Sequence, residues 1–483
     1  MLKKTVLTVT SLFLLVNILT GKTVTLLHTN DMHAQYLPVQ AVWIQKSPKP
    51  LIGGLVALDY HIRQQQSLYP NSLLLDAGDI CTGTPLSKIE YKGAKNGAFV
   101  EMMNLMGYDA LTLGNHEFDE GQENLRNLME LADFDVLACN LYKNDQLFAP
   151  KSYAIYRMDG LRVGVIGVLL QDLANVTAVK NLEGLVLKSP ARSVQAVIDQ
   201  IDAATDMIVV LTHQGVEPDL SLADSLRNAD VIIGGHSHTR LTDPVVRNDI
   251  LLLQAGSKTR YLGRLTADVV DDKVADYTYE LVPTWVDSVQ TVNEELQSNV
   301  EFFRKKIDAE YNKKIGTLLT DWQRSSRTES NIGNYLCDVI RMHTDADFAL
   351  LNSGGIRKDL SAGPVTKLDI MEILPFTNYV VTFECSGEQV LSLIRENIRA
   401  AVSREYGISQ VSGIRYFYRI KDDKGKLIKA MIEGEPIDPE KTYTCATVDY
   451  LYGQLSERGG YSFRNMQQTP YLLSDLVIEH IKN

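Results

Sequence analysis

Between Thr23 and about residue 270 the chain alternates two kinds of hydrophobic pattern. Short, nearly continuous apolar runs read "TVTLLHTND", "SLLLDAGD", "DALTLGNHE", "FDVLACNL", "LRVGVIGV", "MIVVLTHQG", "VIIGGHSH" and "ILLLQAG". Between several of them lie stretches with helical spacing, such as "NGAFVEMMNLMG" and "GQENLRNLMELA". Runs of this length that are apolar throughout predict strands buried on both faces, and the intervening helices predict an α/β core whose sheets they cover. Residues 288–312, "SVQTVNEELQSNVEFFRKKIDAEYN", are polar, free of Gly and Pro and helical in pattern, which predicts a long solvated linker helix. Beyond it, helical stretches ("SNIGNYLCDVIRMHT", "SGEQVLSLIRENIRAAV") mix with strands ("YVVTFEC", "IRYFYRI", "TYTCATVDYL"), the pattern of a smaller α+β domain. The expected organisation is a leader at 1–20, an α/β domain at 21–287, a linker helix at 288–312 and a second domain at 313–483.

Length agrees, since 483 residues exceed one ordinary core. A formal charge of −12 argues against nucleic acid as a bulk partner, because backbone binding needs a basic surface. Nothing in the pattern implies a stable protein partner. Cys81, Cys139, Cys337, Cys385 and Cys445 are odd in number and unpaired in spacing, so core-filling thiols are expected rather than a disulfide framework. The first residues, "MLKKTVLTVTSLFLLVNILT", place Lys3 and Lys4 before an apolar run that is short for a membrane span. They read as a bacterial-type secretory signal cut near Thr20–Gly21, with export to the periplasm or medium; membrane attachment would follow only if the leader stays uncut.

The chemistry collects where the apolar runs stop. One run is followed by Asp31 and His33, the next by Asp79, a third by Asn115 and His116, a fourth ends in His213, and a fifth is followed by His236 and His238. Singly, each is a turn, cap or hydrogen-bonded residue. Five of the nine histidines fall at these ends, however, and the crevice beyond strand C-termini is where α/β sheets bind ligands. In an extended segment, positions i and i+2 project to one side, so Asp31 with His33, and His236 with His238, can face one site. Seven N/O donors exceed one tetrahedral ion and suit two divalent ions sharing a carboxylate and a hydroxide. With no thiolate among them, Zn, Mn, Fe and Co are all admissible. Such a centre attracts a phosphate dianion despite the acidic chain.

Taken in order, "HTNDMHAQ", "DAGD", "LGNHEFD", "LTHQG" and "GGHSHT" resemble the calcineurin-like metallophosphoesterase signature. The wording "LLHTND" and "GNHEFD" resembles the two-domain 5′-nucleotidase family, which also holds UDP-sugar hydrolases and 2′,3′-cyclic-nucleotide phosphodiesterases. The resemblance implies a β-sandwich flanked by helices (αββα) followed by a C-terminal substrate domain. It implies that Asp31, His33, Asp79 and His238 hold one metal, and that Asp79, Asn115, His213 and His236 hold the other. It assigns His116 as the catalytic imidazole, oriented by Asp119, and leaves Glu117 and Phe118 as structural residues. The implied reaction is in-line attack of a metal-bridging hydroxide on a nucleotide phosphoryl group.

In the second domain "LLNSGGIRKDL" and "EILPFTNYVV" are weak signals alone. They resemble the family's substrate motifs, which implies that Asn352 and Gly355 line a pocket and that Arg357 contacts the anionic part of the substrate. Phe376 would stack on a nucleobase, Asn378 would hydrogen-bond it, and Tyr450 (or Tyr452, in the neighbouring register) would close the stack. Arg324 and Arg327 fall near further basic contacts of the family. One departure stands out. The family's ribose-binding Asp is replaced in "SERGGYSF" by Tyr461, a phenol that cannot accept two hydrogen bonds as a carboxylate does. The expected function is a 5′-nucleotidase acting on small nucleotides. UDP-sugar or cyclic-nucleotide hydrolysis, and a catalytically inactive nucleotide-binding surface protein, are the alternatives.

Overall fold

The computed structural model describes residues 22–41, 43–403 and 407–482; the expected leader at 1–20 lies outside them. All eight apolar runs contain strands, and they divide between two six-stranded sheets. In the first sheet Lys22–Thr29, Ser72–Asp76, Ala110–Thr112 and Asp135–Leu137 run parallel, with Tyr261–Val270 added antiparallel beside Lys22–Thr29. In the second, Leu161–Leu169, Met207–His213, Val231–Gly234 and Ile250–Leu253 are parallel neighbours.

Alternation along these strands decides which layer each side chain joins. Val24, Leu26, Leu73 and Leu75 meet Val163, Val165, Val209 and Leu211 between the two sheets. The other faces carry Leu27, Leu74 and Leu111 toward one helical layer, and Ile166, Ile208, Val210 and Ile232 toward another. Helices Leu55–Leu68, Gly97–Met106 and Gly121–Leu131 belong to the first layer; Pro190–Ile201 and Val216–Ser225 belong to the second. Covering both sheets explains why the runs are apolar at every position. The architecture is helix–sheet–sheet–helix, the αββα arrangement.

The helix at Glu294–Tyr311 differs from the solvated connector that its polarity predicts. Leu296, Val300, Phe303 and Ile307 form a stripe on one face and are buried with the first helical layer. At about 1.5–3 kcal/mol per fully buried large apolar side chain, four such residues outweigh the polar majority and dock the helix. Its charged residues simply occupy the opposite face.

After it comes a five-stranded mixed sheet in the order Ser409–Ser412, Phe348–Asn352, Thr442–Val448, Tyr379–Ser386, Arg464–Leu472. Helices Asn331–Thr344, Gly387–Ser403 and Leu473–Lys482 pack with it around a separate core that includes Phe348, Phe383 and Ile394. All five cysteines are buried and free, as their spacing predicts.

Candidate functional site

The strand ends do converge. Asp31, His33 and His238 offer ligand atoms within 4.8 Å of one another, and so do Asp79, His213 and His236. His33, Asp79 and His116 form a third such group that bridges the first two. Asn115 joins through its Oδ1, which is 2.9 Å from His236 Nδ1. Asp31 Oδ1 lies 3.2 Å from His238 Nε2, and Asp79 Oδ2 lies 3.1 Å from His213 Nε2.

The route to this convergence is not the extended i, i+2 geometry predicted for the two short motifs. Asp31, His33, Asp79, His236 and His238 all have positive φ, between 49° and 76°. These residues follow the strands in turns, and left-handed backbone rather than pleating aims both members of each pair at the site. Non-glycine residues in this region cost energy and cluster where function requires it. Gly78 supplies the matching space: at φ 87°, a Cβ there would meet Gly114 N at 2.7 Å and His213 Nδ1 at 2.9 Å.

A second layer fixes the donors. His33 Nδ1 is 2.8 Å from the Thr82 carbonyl and His213 Nδ1 is 2.6 Å from the Ala77 carbonyl. Each ring therefore donates through Nδ1 and turns the Nε2 lone pair inward, the arrangement of metal-ligating imidazoles. His213 Nε2 is buried with no hydrogen-bond partner, and His33 Nε2 faces His238 Nε2 at 3.0 Å. A buried lone pair and two imidazole nitrogens pointed at each other are what a cation between them would satisfy. The donor set fits divalent metal. Burial holds the His33 and His236 rings below the usual imidazole range, His236 at about 4. At His213 burial also disfavours charge, but the Asp79 carboxylate outweighs it and lifts the ring to about 10, so Nε2 offers its lone pair only where a metal ion takes the place of that proton.

Glu117 is the clamp of this loop system. Its two oxygens accept the backbone N–H groups of Asp79, Ile80, Cys81 and Gly114 at 2.6–3.1 Å. His116 donates its own backbone N–H to Asp79 Oδ1 at 2.8 Å, and its Nδ1 lies 2.8 Å from Asp119 Oδ2. Burial opposes charge on this ring too, yet Asp119 and Asp79 prevail and raise its pKa. Thr82 Oγ1 donates to the same Asp119 oxygen at 2.7 Å, and Asn181 Nδ2 donates to the carbonyls of Phe118 and Asp119.

Above this floor opens a cleft of about 390 Å³. Asp79, Asn115, His116, Asp119, His236 and His238 line one wall; Asn352, Arg357, Phe376, Asn378 and Tyr450 line the other. Asp31, His33 and His213 lie beneath the surface, buried. Gly354 rather than Gly355 borders the cleft; Gly355 is buried beside the Asn352 amide. Phe376 stacks on the His116 ring at 5.6 Å and lies under the Arg357 guanidinium at 5.7 Å. Tyr450 donates its hydroxyl to the Asn175 carbonyl at 2.9 Å. Tyr452 packs instead against Phe383 and Phe463, which removes the alternative register. Tyr461 stacks on Phe463 and shares a 2.9 Å hydrogen bond with Ser392, away from the cleft. Arg324 engages Asp359, and Arg327 N–H engages Ser325; neither borders the cleft.

The sequence pattern gave no warning of Lys180, which lines the cleft and pairs with Asp449 at 2.9 Å. Lys88 is similar: it reaches Glu120 at 2.5 Å and Thr377 at 2.8 Å, tying the first region to the residue between Phe376 and Asn378. Both are lone lysines in short 3-10 turns, Pro85–Lys88 and Val179–Leu182, with no motif to mark them.

A helix-flanked β-sandwich with clustered His and Asp donors at its strand ends defines the metallophosphoesterase class of hydrolase. Residues 24–240 match the family described as calcineurin-like phosphoesterase, and residues 314–460 match the 5′-nucleotidase C-terminal domain. Protein UshA of Escherichia coli is 27% identical over 91% of this chain and 88% of its own length. The 5′-nucleotidase of Vibrio cholerae is 28% identical, over 90% and 87% respectively. The crystal structure of a 5′-nucleotidase precursor from Thermus thermophilus superposes with a TM-score of 0.84 at 25% identity, covering 95% of this chain and 96% of that one. The chain belongs to the two-domain 5′-nucleotidase family and is a metal-dependent phosphoester hydrolase.

Proposed function

We propose that the chain is an exported 5′-nucleotidase that converts nucleoside 5′-monophosphates to nucleoside and phosphate. In this reading 21–287 carries the metal cage, 288–312 joins, and 313–483 selects substrate. The observation that carries it is the two-walled cleft, with Asp79, Asn115 and His116 facing Arg357, Phe376 and Asn378. Two divalent ions, held by Asp31, His33, Asp79, His238 and by Asp79, Asn115, His213, His236, would supply the nucleophile and neutralise phosphoryl charge. Arg357 would orient the phosphate, and Phe376 with Tyr450 would sandwich the base. His116, kept protonated by Asp119, would donate a hydrogen bond from Nε2 to the phosphoryl oxygens and stabilise their growing charge. Lys3, Lys4 and the apolar run behind them support export.

Phosphate release from AMP by the purified protein, before and after chelation, tests the reading; equal turnover after metal stripping rejects it. The turned-away Tyr461 favours one second reading. Without a carboxylate there to grip the ribose hydroxyls, UDP-sugars or 2′,3′-cyclic nucleotides become competitive substrates. Comparing kcat/KM for AMP, UDP-glucose and 2′,3′-cAMP separates the two.

A further inference from the structure

The strands Ile414–Lys421 and Lys424–Ile432 form an antiparallel hairpin at the edge of the second region. One face is covered over most of its length: Ile414, Tyr416, Leu427, Ala430 and Ile432 pack with the core that includes Ile398 of helix Gly387–Ser403, and only Tyr418 and Ile420 near the turn emerge from it. The other face has no cover. Its cross-strand pairs are Arg415 with Met431, Phe417 with Lys429, and Arg419 with Lys426. A register shift after Phe417 inserts Ile428, so that Phe417 is 52% and Ile428 57% exposed on this strip.

The charge is as unusual as the exposed apolar groups. The two strands carry Arg415, Arg419, Lys421, Lys424, Lys426 and Lys429 and no carboxylate, within a chain of net charge −12. Among the described residues none of these six cations makes an ion pair; the carboxylates of the connecting turn, Asp422 and Asp423, do not engage them. Elsewhere some surface cations are neutralised by a bidentate partner, as in Arg162 with Asp206 and Arg247 with Asp224, whereas here six lie together with none. Six unpaired cations around exposed Phe417 and Ile428 match the surface of an anionic bilayer. Cations meet lipid phosphates there, while an aromatic ring and an aliphatic chain enter the boundary between headgroup and acyl region. A second copy of the same strip would oppose cation to cation, which disfavours self-association.

We propose that the outer face of this hairpin docks the protein peripherally on an anionic phospholipid membrane. The inference is independent of the hydrolase reading. Among the described residues no helix is long and apolar enough to cross a membrane, so attachment through this face is superficial.

The test is co-sedimentation of the full chain with vesicles of phosphatidylcholine alone, or of phosphatidylcholine mixed with phosphatidylglycerol. Binding is expected only to the phosphatidylglycerol vesicles, weakening with salt. Arg415→Gln, Arg419→Gln, Lys426→Gln and Lys429→Gln should each lower the partition coefficient by about fivefold. Phe417→Ser and Ile428→Ser should lower it while leaving its salt dependence intact. Because every variant keeps the leader, a loss of binding on neutralising the hairpin cannot arise from the leader. Phosphate release from a soluble substrate, and the melting temperature, should match the parent in each single variant. The proposal is overturned by equal binding to both vesicle types, by retention of binding in the fourfold Gln variant, or by a light-scattering dimer that Phe417→Asp dissolves.

Discussion

The two walls of the cleft are built on different principles. On the first wall, Glu117 clamps the turn that carries Asp79 and the backbone before Asn115, the His33 and His213 rings are tied to carbonyls, and five of the candidate metal donors hold positive φ. On the second, the contacts of Arg357, Phe376 and Tyr450 include adaptable ones: a guanidinium over a ring, a ring over His116, a hydroxyl on a carbonyl. Chemistry that needs donors placed within a fraction of an ångström requires the first kind of wall. Recognition that must admit and release a substrate is compatible with the second.

The comparison breaks most readily at Asp79. Asp79→Asn should lower metal content per chain by elemental analysis and phosphate release by more than about 100-fold, since even outer partners of metal ligands are worth 10–100-fold. Full metal content with full activity would refute the shared cage. Next, His116→Ala should cost about 10²–10⁴-fold in kcat with metal content unchanged, the range for a group that stabilises or transfers charge without holding the ion. On the opposite wall, Phe376→Ala should weaken AMP by about 1–3 kcal/mol, mostly in KM, the worth of stacking one base. Glycerol phosphate, which has no base, should be hydrolysed as before. An equal loss on both substrates would show that Phe376 supports His116 rather than the nucleotide.

The smallest effect concerns the contact between the walls. Burial raises the Glu120 carboxyl, but Lys88 and Lys95 outweigh it and hold the pKa below the ordinary glutamate value. A depressed carboxylate contributes stability above its unfolded pKa and loses it as pH falls through the folded value. Melting temperature against pH should therefore show a Glu120-dependent gain near neutrality that fades on acidification. Glu120→Gln should lack that step.

Much of the first wall is legible in one dimension because each donor follows directly on an apolar run. Chain direction then carries the parallel strand ends to a common edge. Glu117 reads as structural and proves so, although its four backbone partners are invisible without coordinates. The second wall is less legible. Asn352 closes a strand and Phe376 follows a helix, both in ordinary-looking sequence, and Lys88 and Lys180 carry no motif at all. The long antiparallel strands Tyr261–Val270, Lys273–Pro283 and Arg464–Leu472 also escaped the pattern. Partly exposed faces interrupt their apolar runs. The polar composition of Glu294–Tyr311 concealed a helix docked by four residues.

Alternation of apolar runs with helices, and donors at the run ends, were enough to determine the layered architecture and which side chains gather at the strand ends, because strand direction and side-chain type are local properties. Which turns would go left-handed, which ring would cover His116 and which lysine would reach across the cleft were decided only in three dimensions. Those choices depend on backbone turns and distant neighbours whose energies no single segment contains.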